Sequence, residues 1–386
     1  MGSEMCIRDR CKGSQRLPYI CRDLPPGVFP VGGQGKRGRS SLLFLLLSAG
    51  LLCSVIWTVR IGSAQIPAGE VFGILTDQLF NGGAGLKAGK WPMPHFQIIW
   101  NIRLPRALFG LLCGAGLAVC GAAMQALVLN PIADPYILGI SSGASAGAAW
   151  ALLMPLPLFS GPYQTTAAAF LGALLSAWVV YFMAKMAGGG QLRPVTLLLS
   201  GTAVNAVMSA VTSFLIFLAK SPESIAAVYN WQMGSIAAAQ WKNLALPAAG
   251  VLGGTAVFTA CGGYFNMMMM GDEDAAAMGL AVRRFRFLMF ALCSLVVASL
   301  VSVTGIIGFV GLVVPHMVRF LAGTSSNRLV MPLSALGGGI YLVWADALAR
   351  SAFGAAELPL GIVTAFAGAP FFLFLMIRNG YGGGKK

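Results

Sequence analysis

Acidic and titratable side chains are scarce in this chain. Its 386 residues include 12 Asp and Glu and 2 His, and charged residues of both signs make up only 10%. A soluble globular chain carries about 25% charged residues, so the polar material needed to cover a water-facing surface is missing. Two histidines, His95 and His316, are too few for a histidine-based metal centre. The 8 cysteines form no CxxC pair and lie mostly inside apolar runs, where a free thiol behaves as a small hydrophobe. Neither a disulfide framework nor a zinc site is indicated. The Gly-x4-Gly-Lys-Ser/Thr phosphate loop is also absent, which excludes ATP binding by that device. The net charge of +14 comes without a basic face interleaved with aromatics, which argues against a nucleic-acid partner.

Apolar and small residues are abundant. Hydrophobic side chains make up 57% of the chain, with 50 Gly and 20 Pro. Gly and Pro are both commoner in transmembrane helices than in soluble ones. The composition therefore implies an all-α, polytopic membrane protein. Residues 1–39 contribute +5 of the net charge, and most remaining cations sit singly or in pairs between apolar runs, as topology determinants do. The opening Met-Gly-Ser-Glu-Met-Cys-Ile-Arg-Asp-Arg reads as a translated sequencing adapter. Residues 1–40 are accordingly expected to form a tail outside the fold, with 1–10 as adapter translation. For 11–39, upstream sequence and a disordered basic tail are both open readings. A signal peptide is disfavoured, because no small-residue cleavage site follows the apolar run from Leu42. A single ten-helix domain is expected over 41–380, with a short tail at 381–386.

A span needs about 20 mostly apolar residues. Ten such runs occur, at about 41–61, 104–128, 137–155, 163–186, 194–218, 242–263, 286–304, 305–321, 331–350 and 358–377. Between the seventh and eighth, Thr304-Gly305-Ile306-Ile307-Gly308 reads either as a tight turn or as a broken helix. Ten spans place both termini on one side, and Lys36, Arg37, Arg39, Arg378, Lys385 and Lys386 make that side cytoplasmic. Seven cations then fall outside: Lys87, Lys90, Arg103, Arg106, Lys220, Lys242 and Arg350. They read either as interfacial snorkelers or as docking points for an acidic partner.

Several segments carry more than hydrophobicity. Pro105, in Ile102-Arg103-Leu104-Pro105-Arg106, suits a first helical turn. Gly114, Gly116, Gly121 and Ala122 form a small-residue stripe that lets helices approach closely. Gly139, Ser141 and Gly143 fit the Gly-x-Ser-x-Gly elbow of hydrolases, but the context is helical and no base is near, so helix packing is the preferred role. The most charged internal stretch runs from Met270 to Arg284. Asp272, Glu273 and Asp274 at its start and Arg283 and Arg284 at its end suit the dipole of a short helix, which a soluble partner could grip; a solvated loop is the other reading. His316 lies beside Arg319 near a span end and reads as a structural hydrogen-bonding group rather than a proton relay. Asp346 and Arg350 form an i,i+4 pair.

These residues resemble the FecCD-type permeases, which import iron siderophores, haem and cobalamin. The resemblance runs from about Leu42 to Arg378 through ordered motifs. These are Arg103-Leu-Pro-Arg106, Met124-Gln125-x5-Pro131-Ile-Ala-Asp-Pro135, Leu138-Gly-Ile-Ser-Ser-Gly-Ala144 and the Trp231-Gln-Met-Gly-Ser235 loop. Gly308-Phe-Val-Gly-Leu-Val-Val-Pro-His-Met-Val-Arg319, Ala345-Asp346-x3-Arg350 and Glu357-Leu-Pro-Leu-Gly-Ile-Val-Thr364 complete the series. The resemblance implies a bacterial inner-membrane homodimer with a pathway on the two-fold axis, joined by two cytoplasmic ATP-binding subunits and one extracytoplasmic substrate-binding protein. It implies no cofactor and no catalytic residue in this chain. By resemblance, Arg103, Arg106 and Arg350 receive acidic residues of the binding protein. Gly271, Asp272, Glu273, Asp274, Ala277, Met278, Gly279, Leu280, Arg283 and Arg284 form the loop that presses into the ATPase. The pathway is expected around Asn205, Met208 and Thr212, with a mostly apolar lining. Alternating access would be driven by ATP closure of the partner. An ion-coupled secondary transporter is the main rival, although such carriers bury ionisable groups at mid-membrane and these spans keep theirs at the ends. An intramembrane hydrolase using Ser141 or Ser142 is the second rival and lacks a base.

Overall fold

The structure is a computed structural model that describes residues 37–62, 64–154, 163–352 and 356–378. Of the tail expected over 1–40, residues 1–36, with the adapter reading of 1–10, lie outside these residues, as does the short tail at 381–386, while 37–40 belong to the first helix. Every secondary-structure element of the described chain is helical. In order these are α1 (Arg37–Arg60), α2 (Ala68–Phe80), α3 (Ala84–Lys87), α4 (Met93–Phe96), a π-helical segment (Gln97–Arg103) and α5 (Leu104–Leu127). A 3-10 turn (Pro135–Leu138) leads to α6 (Ile140–Leu153), α7 (Gln164–Ala187), α8 (Pro194–Phe217), α9 (Pro222–Gln232) and α10 (Trp241–Ala260). The chain finishes with α11 (Gly262–Met268), α12 (Asp272–Ala277), α13 (Val282–Thr304), α14 (Val310–Ala322), α15 (Asn327–Ser351) and α16 (Leu360–Arg378).

Seven of these helices are long and apolar enough to cross a membrane, and three shorter apolar helices accompany them. Together they answer the ten apolar runs one for one. The run expected at 104–128 is the C-terminal part of a continuous 35-residue helix, Met93–Leu127. Pro105 therefore stands inside a helix rather than at its entrance. A proline lacks the N–H that an α-helix needs there, and the π-helical segment just before it is a known way of absorbing such a defect. The run at 305–321 is helical only from Val310, and α14 has 13 residues. At about 1.5 Å per residue that is about 20 Å, short of a membrane's hydrocarbon core of about 30 Å.

The segment 305–308 is a tight turn: α13 runs antiparallel to α5, with Cys293 at Cys120 and Leu300 at Gly116, and α14 runs parallel to it, with Gly311 at Gly121 and Arg319 at Gln125, so the chain reverses here. Gly305 adopts φ 69°, a conformation only glycine takes cheaply. The Ser235 amide donates to the Thr304 carbonyl at 2.7 Å, and beside it the Leu360 amide donates to the Gly234 carbonyl and the Gly361 amide to the Met233 carbonyl. A Cβ at Gly305 would overlap the Trp231 carbonyl, so three chain segments meet here backbone to backbone. The Trp231–Ser235 stretch, expected as a loop, supplies the last turn of α9 and the turn after it.

The long central helix fixes the arrangement. In its most apolar window 89% of residues are buried, against 17% for α1, so the former is enclosed by protein and the latter is peripheral. Close approach around it rests on small residues. Gly114 faces the Gly338 carbonyl of α15 and Gly121 faces the Gly311 carbonyl of α14, each with no room for a methyl group. Away from the centre, Gly143 and Gly172 join α6 to α7 in the same way. Contacts of Gly110 with Val343 and of Arg106 with Asp346 show α5 and α15 antiparallel, while Gly50 against Ile340 and Thr58 against Arg350 show α1 parallel to α15. One end of the bundle therefore carries Arg103, Arg106 and Arg350. The other carries the α5–α6 turn, α12 and the starts of α1 and α15.

Candidate functional site

Three places concentrate polar chemistry. At the first end, the sequence-predicted Arg103, Arg106 and Arg350 do come together, and all three are buried. Arg103 donates from Nη1 to the Val59 and Arg60 carbonyls at 3.2 and 3.0 Å, and from Nη2 to the Ala64 carbonyl at 2.6 Å. Arg350 donates to the Ile61 and Thr58 carbonyls at 2.8 and 3.1 Å. Two guanidinium groups thus satisfy carbonyls that the last turn of α1 leaves without intrahelical donors, and their charge suits the negative end of that helix dipole. This staple was invisible to sequence reasoning, because nothing local to Thr58–Ala64 marks it. In this conformation the donors of Arg103 and Arg350 are taken up at the end of α1.

Arg106 differs. Its Nε and Nη2 face Asp346 at about 3 Å and its Nη1 faces Glu357 at 2.9 Å. Asp346 also pairs with Arg350 Nε at 2.9 Å, the i,i+4 contact that the sequence anticipated. The carboxylate of Asp346 is buried between two cations, whereas the Glu357 side chain is 47% exposed. Glu357 opens the Glu-Leu-Pro-Leu-Gly-Ile-Val-Thr364 motif, and its partner lies 251 positions away. Beside this cluster, α2 to α4 lay a layer of helix over the bundle end that was not foreseen. There Glu70 and His95 approach to 2.5 Å, and Asp77 accepts from the Gly85 and Leu86 amides.

At the opposite end stands α12. Gly271 and Gly279 flank it with φ 109° and 88°, and Asp272, Glu273 and Asp274 fill its first turn. Glu273, Asp274, Ala277, Met278 and Gly279 are exposed, Leu280 is half-buried, and the neighbouring Met269 and Met270 are exposed as well. The two arginines expected to close this helix do not. The helix ends at Ala277, and Arg283 and Arg284 lie in the first turn of α13. Its position is fixed by a residue that sequence reasoning missed. Arg286, with a side chain only 2% exposed, donates to both carboxylate oxygens of Asp272 at 2.5 and 2.8 Å and to the Leu192 carbonyl at 2.6 Å. One guanidinium ties α12, the α7–α8 turn and α13 together. The i,i+14 spacing carries no helical period that could have revealed it.

At the same end, α5 and α14 are joined by buried polar contacts. Arg319 donates to the Gln125 side-chain carbonyl, and His316 Nε2 meets the Pro131 carbonyl at 2.7 Å. This fits the structural role expected for His316. In the α5–α6 turn, Asp134 accepts from the Tyr136 amide at 2.8 Å and so caps the 3-10 turn. Burial pushes its carboxyl up to about 6, against the pull of that amide.

Between the two ends, α6, α8, α9 and Ile306 line an open cavity of about 340 Å³. Asn205 and Thr212 line it, together with Ser141, Ser142, Ser145, Ser209, Ser213, Tyr229 and Gln232. Met208 is not in the lining and packs instead against the core. The lining thus sets hydroxyl and amide groups beside the apolar side chains of Ile216 and Ile306. Ser142 donates to Asn205 Oδ1 at 2.6 Å or to the Gly139 carbonyl at 3.0 Å, and among the described lining residues there is no histidine, carboxylate, lysine or arginine. A serine without a base is no activated nucleophile.

Comparison with known proteins completes the description of these sites. The model of the FecCD transport family matches residues 50–378. The cobalamin import system permease protein BtuC of Halobacterium salinarum is 43% identical over 279 residues, which cover 72% of this chain and 73% of that one. The hemin transport system permease protein HmuU of Yersinia pestis is 37% identical over 284 residues, 73% and 84% of the two chains. A solved transporter assigned to the metal-chelate type of ABC transporter, in an inward-facing conformation, superposes with a TM-score of 0.74. It is 26% identical, and the match covers 88% of this chain and 99% of that one.

Proposed function

The chain belongs to the FecCD transport family, and from that premise we propose that it is the membrane-spanning permease subunit of an ABC importer for an iron chelate, such as a siderophore or haem, or for a corrinoid. The observation that carries this reading is the family match across residues 50–378, which spans both bundle ends and the cavity between them. Two copies of the chain would assemble around a common pathway, with the hydroxyl-lined cavity of α6, α8 and α9 opening onto it. The exposed apolar residues of α8, among them Val207, Phe214 and Phe217, support a protein or lipid contact on that face.

In this reading the end with α12 and both described chain ends is cytoplasmic. A separate ATP-binding subunit grips α12 through Met278, Glu273 and Asp274, and the glycines at 271 and 279 let the short helix tilt as a unit. Arg286 passes that tilt to α13 and to the α7–α8 turn. At the extracytoplasmic end a substrate-binding protein docks, and Arg106 offers its outer edge to a carboxylate of that protein. Arg103 and Arg350 hold the end of α1 in place beneath it. The cavity itself binds no charge, which suits release of a substrate handed over by a partner. ATP-driven closure of the partner would rock the helices so that the cavity opens alternately to either side.

The test is reconstitution of the full chain with its candidate ATP-binding subunit. Adding the candidate binding protein with its ligand is expected to raise ATP hydrolysis and to drive uptake into vesicles. Failure of any ATP-binding subunit to form a stable complex would overturn the reading. Uptake driven by a proton or sodium gradient without ATP would put an ion-coupled carrier in its place.

A further inference from the structure

We infer that Glu357 is a displaceable stand-in for the carboxylate of the docking protein: it covers the outer edge of Arg106 until the partner's own carboxylate takes its place. The inference rests on the docking reading above and specifies how that site is regulated.

The argument is one of donors and exposure. Arg103 spends both terminal nitrogens on carbonyls of the end of α1, and Arg350 spends its own on two more carbonyls and on Asp346. Asp346 is buried between Arg106 and Arg350, so no outside group can replace it without opening the bundle. Nη1 of Arg106 remains, and both oxygens of Glu357 sit on it, at 3.1 and 2.9 Å. Among the described residues of this cluster, Glu357 alone combines an ion pair with a side chain open to solvent.

The backbone after Glu357 is held: the Leu358 amide donates to the Ala349 carbonyl at 3.0 Å and the Leu360 amide to the Gly234 carbonyl at 2.9 Å. Rotation of the side chain therefore suffices to uncover Arg106, without movement of the main chain. Once Glu357 leaves, Asp346 is the one carboxylate left between Arg106 and Arg350, so the uncovered Nη1 edge carries net positive charge. Two carboxylates cannot share the single Nη1 edge without repulsion. The group that fits is a carboxylate on a protein surface, carried on a side chain long enough to reach a donor just below the rim.

The experiment uses Glu357→Gln in the full chain, with Arg106→Gln as its companion, assembled with the ATP-binding subunit. The arginine reagent phenylglyoxal, read by mass spectrometry, is expected to modify Arg106 several-fold faster in Glu357→Gln than in wild type. Affinity for the binding protein is expected to rise about two- to fivefold, the scale of one exposed ion pair removed from competition. In an Arg106→Gln background the Glu357→Gln change should have no effect. Unchanged reactivity of Arg106, or unchanged or weaker binding by Glu357→Gln while Arg106→Gln still weakens docking, would overturn the stand-in role and keep the docking site. Docking that is indifferent to Arg106→Gln would instead remove the docking site itself, and the stand-in with it.

Discussion

Asp272→Ala is the sharpest test of how the cytoplasmic helix is joined to the bundle. The substitution leaves the Arg286 guanidinium, which is 2% exposed, with the Leu192 carbonyl but without either carboxylate oxygen. Removing one partner of a fully buried pair costs about 3–5 kcal/mol. Asp272 is itself 40% exposed, so water can solvate the vacated side and the cost falls to about 2 kcal/mol, in line with one charged hydrogen-bond pair. Thermal unfolding of the purified permease is expected to move down by several degrees. The double variant Asp272→Leu/Arg286→Met separates stability from coupling. Replacing both charges by apolar groups should restore most of the stability, since buried pairs are often matched by hydrophobic replacements. The tie between α12, α13 and the α7–α8 turn stays broken, so substrate moved per ATP hydrolysed should drop severalfold although the ATP-binding subunit still binds. Wild-type transport per ATP in the double variant would refute the idea that Arg286 transmits motion. An unchanged melting temperature in Asp272→Ala would refute its energetic role.

Three further outcomes are expected. Gly121→Ala puts a methyl group into the Gly311 carbonyl of α14 and should lower stability by about 3 kcal/mol or prevent assembly, while Gly253→Ala, which meets nothing within 4 Å, should be neutral; melting curves in detergent decide. Asp134 has a folded pKa raised from 3.8 to about 6, so its ionisation costs nothing below pH 3.8, costs progressively more as pH rises to about 6, and costs its full amount above that. Asp134→Asn keeps the cap on the Tyr136 amide and should therefore be stabilised relative to wild type at pH 7.5, by up to about 2 kcal/mol, with the difference vanishing near pH 4. Ser142→Ala removes the bond to Asn205 but no chemistry, so uptake should fall less than about threefold; complete loss in a folded protein would revive the hydrolase reading.

The apolar runs by themselves determined that this is a helical membrane protein with ten apolar helices, whereas the structure decided that seven of them are long and three are shorter. That is a local property. Each helix satisfies its own backbone, and each run must be long enough for the hydrocarbon it crosses. The acidic start of α12 and the glycines beside it were legible for the same reason, since a helix dipole and a positive φ act within a few residues. Where Arg283 and Arg284 fall was misjudged because the sequence does not mark that α12 stops at Ala277.

The fate of buried polar groups was decided only by the tertiary structure. Nothing near Arg103 says that its donors go to the end of α1, and nothing near Arg286 says that it holds Asp272 and Leu192. A buried charge must take whatever acceptor the packing brings within about 3 Å, and for Arg106 and Glu357 that partner lies 251 positions away. The cavity follows the same logic: serines of α6 become part of a polar wall only because α8 and α9 bring Asn205, Ser209, Tyr229 and Gln232 opposite them. Periodicity and composition fix which helices form, but which side chains meet depends on how closely those helices can approach.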